Sequence, residues 1–479
     1  MASSLPFHGC KTRNLVELIL ERDRQTIFPS EVTTQLEKLR DEIASGQNQL
    51  QNGEAENPTA LAQHLQQLRQ QRNDLQNRYL RVGYGFNLGE FQLTLNKSTA
   101  VIEWYITDTR FETFIITRDR LQHLKISNLA DASYTFINWV NEYLKAYNQT
   151  KIEPKNSDWK NSLAPRLSRL ALILRLDEIL KLVPTCSRLV LIPHTVLHLF
   201  PLHALPLANG DFLCNIFPDG VSYAPSCQLL QQVQLRQRSI FQSIFAIQNP
   251  TGDLSYTDIE VNSILNFFSS HIVLRKNQAT KAALLHQMSQ LREANSLHFA
   301  CHGSFNLNFP QDSCLILAES VDKNHLLDFS KCLTLGNLFE RNFELDQCRL
   351  VVLSACETGL VDFTNMSDEY ISLPSGFLYA GSVSVVSSLW TVDDLSAAFL
   401  MIKFSQNLSA NLSVTLALQQ AQNWLRNVTK KQLDQWVTEE NLLNPTTKIQ
   451  LRRRLNELAN DAQPFKNPFY WAAFCAIGQ

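Results

Sequence analysis

The sequence predicts an α/β protein built on a largely parallel sheet, and three observations carry the prediction. Short apolar runs alternate with helix-length stretches over most of the chain. The runs are continuous in character, as strands are when helices cover both faces of a sheet. Two of them, Ser296-Leu-His-Phe-Ala-Cys-His-Gly303 and Leu350-Val-Val-Leu-Ser-Ala-Cys-Glu-Thr-Gly359, stop at a reactive side chain near a glycine. The first delivers His302 just ahead of Gly303; the second delivers Cys356 three residues ahead of Gly359.

Taken in order, residues 1–82 read as helix. Val32, Leu36, Leu39, Ile43 and Leu50 follow 4-3-4 spacing, with Gly46 at the missing seam position. Leu61, Leu65, Leu68, Leu75 and Tyr79 do the same, with Arg72 in the gap. The link at 52–58 ends in Asn57-Pro58, a helix cap followed by a first-turn proline. Two such helices predict an antiparallel, coiled-coil-like hairpin, a spacer packed on the next domain or an arm that meets a partner.

From 92 onward the pattern turns to strands. The run from Phe91 to Tyr105 ends in alternation and is answered by Phe111 to Thr117, a hairpin signal. Helices are predicted near 131–148 and 165–183, and strands at Arg188-Leu-Val-Leu-Ile192 and Val221-Ser-Tyr-Ala224. A second unit opens near 240, with strand 244–247, helix 257–269, strand 271–274 and helix 278–293. The strand to His302 and the strand to Cys356 follow. Then come helix 377–380, strand 383–389, helix 393–428 and a last apolar strand 471–477. The polar helical stretch 430–466 interrupts this pattern and reads as an insertion.

Composition narrows the function. A chain of 479 residues that is 44% hydrophobic has room for more than one domain and is not mostly disordered. Its 43 basic and 45 acidic residues argue against a nucleic-acid or acidic-membrane binder. Arg452-Arg-Arg454 lies in an amphipathic stretch and reads as a solvated face. None of the 10 cysteines forms a C-x-x-C pair, so zinc and thioredoxin-like readings have little support. The start carries Lys11, Arg13, Glu17, Glu21, Arg22 and Asp23 and lacks the apolar core of a signal peptide. The most apolar stretch, 189–207, is broken by Pro193, His194, His198, Pro201 and His203 and makes a poor membrane span. The expectation is a cytoplasmic protein with free thiols, no membrane association and no cofactor or metal. No G-x-x-x-x-G-K-[ST] loop supports a nucleotide-binding module.

In open α/β sheets, ligands bind beyond the carboxyl ends of the strands. His302 and Cys356 both fall at such ends, as a cysteine nucleophile and its general base require. Gly303 permits a tight turn. The amides of Gly303 and Cys356 are candidate oxyanion donors, each worth about 3 kcal/mol where negative charge develops. No acidic residue can be assigned as a third member. Cys301 alternates away from His302 and is read as core, and His298 as buried support on the His302 face.

These motifs resemble the CHAT family of caspase-like, separase-related (clan CD) cysteine peptidases. So do 191–205, Ser222-Tyr-Ala-Pro-Ser226, 376–394 and 467–478, and the resemblance extends over about 92–479. It implies a caspase-like, mainly parallel sheet flanked by helices, with a pseudo-caspase half at 83–235 and an active half at 236–479. It also implies Cys356 as nucleophile and His302 as base. Relatives that cut after Arg or Lys carry an acidic residue where Ser354 stands, which argues against a basic P1 preference. The caspase pentapeptide around the cysteine is not met, and 1–82 shows no 34-residue repeat.

Ser354, Trp390, Asp393 and Asp394 are the candidate substrate-binding residues, with helix capping as the other reading of the aspartates. The polar segment 361–374 is expected to be a regulatory loop. The function implied is a regulated bacterial cysteine endopeptidase cutting specific protein substrates. Its activating protein or signal would act through the N-terminal helices or the 361–374 loop. The alternatives are a catalytically silent caspase-like scaffold that binds partners, and an acyltransferase or deamidase using the same dyad.

Overall fold

The computed structural model describes residues 15–16, 19, 28–51, 57–78, 86–107, 110–125, 129–152, 158–238, 241–306, 309–322, 326–340, 342–355, 358, 371–440 and 444–479. Fourteen strands fall in these residues. They are β1 (Thr99–Thr107), β2 (Arg110–Thr117), β3 (Leu121–Lys125), β4 (Arg188–Ile192), β5 (Gly220–Tyr223), β6 (Ser243–Gln248) and β7 (Ser270–Arg275). Then follow β8 (Ser296–Ala300), β9 (His302–Ser304), β10 (Cys314–Ile316), β11 (Leu333–Thr334), β12 (Leu350–Ser354), β13 (Ser384–Ser388) and β14 (Phe474–Gly478).

Eleven strands form one sheet in the order β3-β2-β1-β4-β5-β14-β13-β12-β8-β6-β7, and β11-β10-β9 form a small second sheet. Pairing is parallel from β13 through β12, β8 and β6 to β7, and from β1 through β4 to β5. β14 joins the two halves, running parallel to β5 and antiparallel to β13. β1, β4 and β5 therefore run opposite to β6, β7, β8, β12 and β13, and the carboxyl ends of the two sets lie on opposite edges of the sheet. Helices flank this caspase-like sheet. One continuous core runs through both halves and includes Trp104, Leu191, Phe299, Val352, Trp390 and Trp471.

The N-terminal helices form the expected hairpin. Ser30–Gln51 packs on Pro58–Asn77 with Ile43 against Leu65 and Leu68, and with Val32 and Leu36 toward Leu75. Gly46 makes that approach possible, since a Cβ there would meet Leu65 Cδ2 at 2.7 Å.

Several local expectations change. Leu88–Thr94 is helical, because the Asn87 side chain accepts from the Gly89 and Glu90 amides and Phe91 is fully buried. The 165–183 helix starts at Trp159 and breaks after Ile173, with Arg175 in the left-handed region at φ 55. The 278–293 helix is two short ones, Lys281–His286 and Met288–Glu293. The last strand begins at Phe474, since Pro468–Trp471 is a helical turn capped by Asn467. Of the expected 361–374 loop, 361–370 lies outside the described residues. Its end belongs to the buried helix Leu373–Ala380, which Ser372 caps.

Candidate active site

Sheet register places the strands that lead to residues 302 and 356 side by side. β8 lies between β12 and β6, with Ala300 paired to Ser354 on one side and to Gln248 on the other. All three strands are parallel, so the chain leaves each of them at the same edge. His302 is two residues beyond Ala300, and Cys356 is two residues beyond Ser354. Cys356 itself lies outside the described residues, and its described neighbours Ala355 and Thr358 are buried.

The turn at this edge is tied to the next strand. The Thr358 hydroxyl donates to Ala355 O at 3.2 Å, and the Ser388 hydroxyl donates to the same oxygen at 2.5 Å. The Ser388 amide donates back to Thr358 Oγ1 at 3.3 Å. β8 stops at Ala300, one residue before Cys301, which is 2% exposed and belongs to the core as expected. After it the chain enters the small sheet, where His302 pairs with Ile316 and Gly303 with Leu315. His302 therefore heads β9, not the strand before it.

The sequence reading missed one group beside His302. His302 Nε2 lies 3.0 Å from each carboxylate oxygen of Asp253, in the loop that follows β6. Burial raises the Asp253 carboxyl, but hydrogen bonds from Thr251 and His302 outweigh it and hold the carboxyl below its ordinary range. The available signal was Asn249-Pro-Thr-Gly-Asp253, a turn directly after a strand. That signal becomes specific only once β6 is known to neighbour β8.

His298 is buried support as expected, with Nε2 2.7 Å from the equally buried Glu260 carboxylate. Ser354 is half-buried at the end of β12. The other three expected substrate contacts have partners within the fold. Trp390 is 1% exposed, donates its Nε1–H to Phe469 O at 3.1 Å and packs edge-on against Trp159, so it is part of the core. Asp393 caps the helix Asp394–Ser409 by accepting from the Ser396 amide, and Arg454 reaches it at 2.7 Å. Arg452, Arg453 and Arg454 are all exposed, and Arg454 is engaged by Asp393. Asp394 accepts from the Tyr256 amide at 3.1 Å, and burial raises its carboxyl.

The described cysteines are free thiols. Burial pushes Cys214, Cys348 and Cys475 up to about 12, which keeps them protonated and inert. Among the described residues no group of His, Cys, Asp and Glu is arranged to hold a metal ion, and no helix is long and apolar enough to cross a membrane.

Comparison with known proteins gives the following. Separin of Emericella nidulans is 25% identical over 213 residues, which is 43% of this chain and 8% of that protein. The chain thus spans a small part of the curated relative it matches. The Saccharomyces cerevisiae separase–securin complex aligns at a TM-score of 0.44 and 13% identity, over 82% of this chain and 30% of that one. The Arg-specific cysteine proteinase gingipain R aligns at 0.33 and 9% identity, over 66% and 67%. The CHAT domain matches residues 162–479, more than half of the sequence. This chain belongs to the CHAT domain family.

Proposed function

We propose that this chain is a regulated cysteine endopeptidase, with Cys356 as nucleophile and His302 as general base. The observation that supports it most is the register Gln248–Ala300–Ser354, which starts the 302 and 356 segments from neighbouring strand ends at one edge. In the reaction, the Cys356 thiol gives its proton to His302, and the thiolate sulfur bonds to the scissile carbonyl carbon. The imidazolium then protonates the leaving amine as the C–N bond breaks. Water, deprotonated by the same imidazole, hydrolyses the thioester and regenerates the thiol. The Gly303 and Cys356 amides are the proposed donors to the oxyanion.

Ser354 carries no charge toward the cleft, so the proposed S1 site takes a side chain other than Arg or Lys. Trp390, Asp393 and Asp394 are left out of the proposed substrate site because each is engaged within the fold. The substrates we propose are specific proteins in a reducing compartment, the cytoplasm. An activating protein would engage the N-terminal hairpin or the segment after Cys356.

The test compares new protein termini generated in a host lysate by the wild type and by Cys356→Ala. Cleavages that depend on Cys356 are the expected result. Cleavage of the same bonds by the variant would remove Cys356 as nucleophile. An ordinary, unselective reaction of Cys356 with an electrophilic peptide at neutral pH would favour a silent scaffold.

A further inference from the structure

Asp253 meets the proposed base with both carboxylate oxygens, and its position is built from several independent contacts. Asn249 opens the loop in the left-handed region at φ 47, a conformation asparagine tolerates. Its amide N–H donates to Ala300 O at 2.9 Å, tying the loop directly to the end of β8. The Asn249 side chain donates to Leu254 O at 2.9 Å and accepts from Leu254 N at 3.2 Å, which closes the loop around residue 253. Thr251 Oγ1 donates to Asp253 Oδ1 at 2.5 Å. Behind the loop, Asp394 holds the Tyr256 amide.

We infer that Asp253 is a positioning residue for His302, adding a carboxylate from the loop after β6 to the proposed Cys–His pair; the inference rests on the peptidase reading above. An ionised carboxylate only accepts, so the ring nitrogen facing it, Nε2, carries the proton. Nδ1 then keeps the lone pair that takes the Cys356 proton. Once that proton arrives, the ring is an imidazolium, and its Nε2–H donates to the carboxylate 3.0 Å away. The hydrogen bonds that lower the Asp253 carboxyl keep it ionised through the neutral range.

Exposure sets the size of the effect. The Asp253 side chain is 63% exposed and that of His302 is 32% exposed, so water screens much of the attraction. Asp253 should therefore matter less than a buried triad aspartate, whose amide replacement costs about 10⁴ in kcat. We expect about one pH unit in the reactivity profile of the thiol, near the lower end for a neighbouring opposite charge.

The test needs no substrate. Alkylation of Cys356 by iodoacetamide is followed against pH by mass spectrometry of its peptide, in the full-length wild type, His302→Ala, Asp253→Ala and Asp253→Glu. The wild-type midpoint should fall below the ordinary thiol value of about 8.5, and His302→Ala should restore that ordinary value. Asp253→Ala should move the midpoint up by about one unit, which is about tenfold less thiolate at the acid end. Asp253→Glu should recover most of the wild-type profile, a rescue that a purely structural loop residue would not give. A wild-type profile in Asp253→Ala overturns the positioning role and leaves the dyad standing. An ordinary profile in the wild type overturns the dyad, and the positioning role with it.

Discussion

Thr358→Val should destabilise the fold more than Ser388→Ala, although each change deletes one buried hydroxyl. Both residues are almost fully buried, at 1% and 0% exposure. The Ser388 hydroxyl has one described role, donating to Ala355 O. Its removal leaves that carbonyl with the Thr358 donor, so the expected loss is about 1 kcal/mol, that of one ordinary hydrogen bond. Thr358 Oγ1 both donates to Ala355 O and accepts from the Ser388 amide. That amide faces away from β14, because the next residue, Leu389, makes the bond to Ala473 O. Valine keeps the shape of threonine but strands the Ser388 N–H, which adds about 1–3 kcal/mol, for a total of about 2–4 kcal/mol. In the double variant the Ala355 carbonyl loses both hydroxyl donors, so its cost should exceed the sum of the two singles. Equilibrium urea unfolding gives the comparison through the midpoint at constant slope. If Ser388→Ala costs as much as Thr358→Val, or the double variant is additive, the three-bond account of the turn beside Cys356 is refuted.

Gly478→Ala should cost about 3 kcal/mol or more, because φ there is +104 and a Cβ would sit 2.3 Å from Val383 O. Urea unfolding checks it, and a variant of wild-type stability would show that β14 can shift away from β13. Asp394 gives a pH prediction with a definite sign. Burial raises its carboxyl above the ordinary 3.8, so the folded chain binds that proton more tightly than the unfolded chain. Its contribution is therefore fully present below 3.8 and is lost as pH rises through the raised value. Asp394→Asn keeps an oxygen acceptor for the Tyr256 amide but has no charge to desolvate. Its stability relative to the wild type should thus improve as pH rises from about 3.8 toward 7, and a difference independent of pH would contradict the assignment.

What was legible in the sequence follows from how local the signal is. The strands β4, β6, β8, β12 and β13 stand where continuous apolar runs place them, because a strand covered on both faces writes its burial into every residue. Part of the hairpin seam was legible from its helical spacing: Val32, Leu36, Ile43, Leu65 and Leu68 are buried, and Gly46 faces Leu65. The helix Leu88–Thr94 was not, since its cap is a single asparagine and its buried Phe91 fits a strand equally well. Trp390 was misplaced by a different route. A tryptophan after a strand end looks available to a ligand, yet its indole is enclosed by Trp159 and Phe469, distant in the chain. Asp253 shows the same limit from the other side. Its value depends on which strand neighbours β8, and strand order is not a local property.

Strand direction also decides which histidines can serve the site. His194 follows the end of β4 much as His302 follows the end of β8. The sequence reading named His302 alone as the base, and strand direction accounts for why His194 does not share its edge. β14 pairs parallel to β5 and antiparallel to β13, which turns the carboxyl end of β4 to the opposite edge from Ser354. At that edge His194 is 4% exposed, its Nδ1 accepts from the Ile106 amide at 3.3 Å, and its ring packs on Tyr105. His203, a little further on, is fully enclosed, and burial lowers it to about 3, so it stays neutral and bonded to Tyr223. An imidazole acting as general base must reach the proton it takes, directly or through one water. His302 has Asp253 and partial exposure, whereas His194 and His203 are buried. The antiparallel β13–β14 pairing thus separates His194 from the edge at which β8 and β12 end.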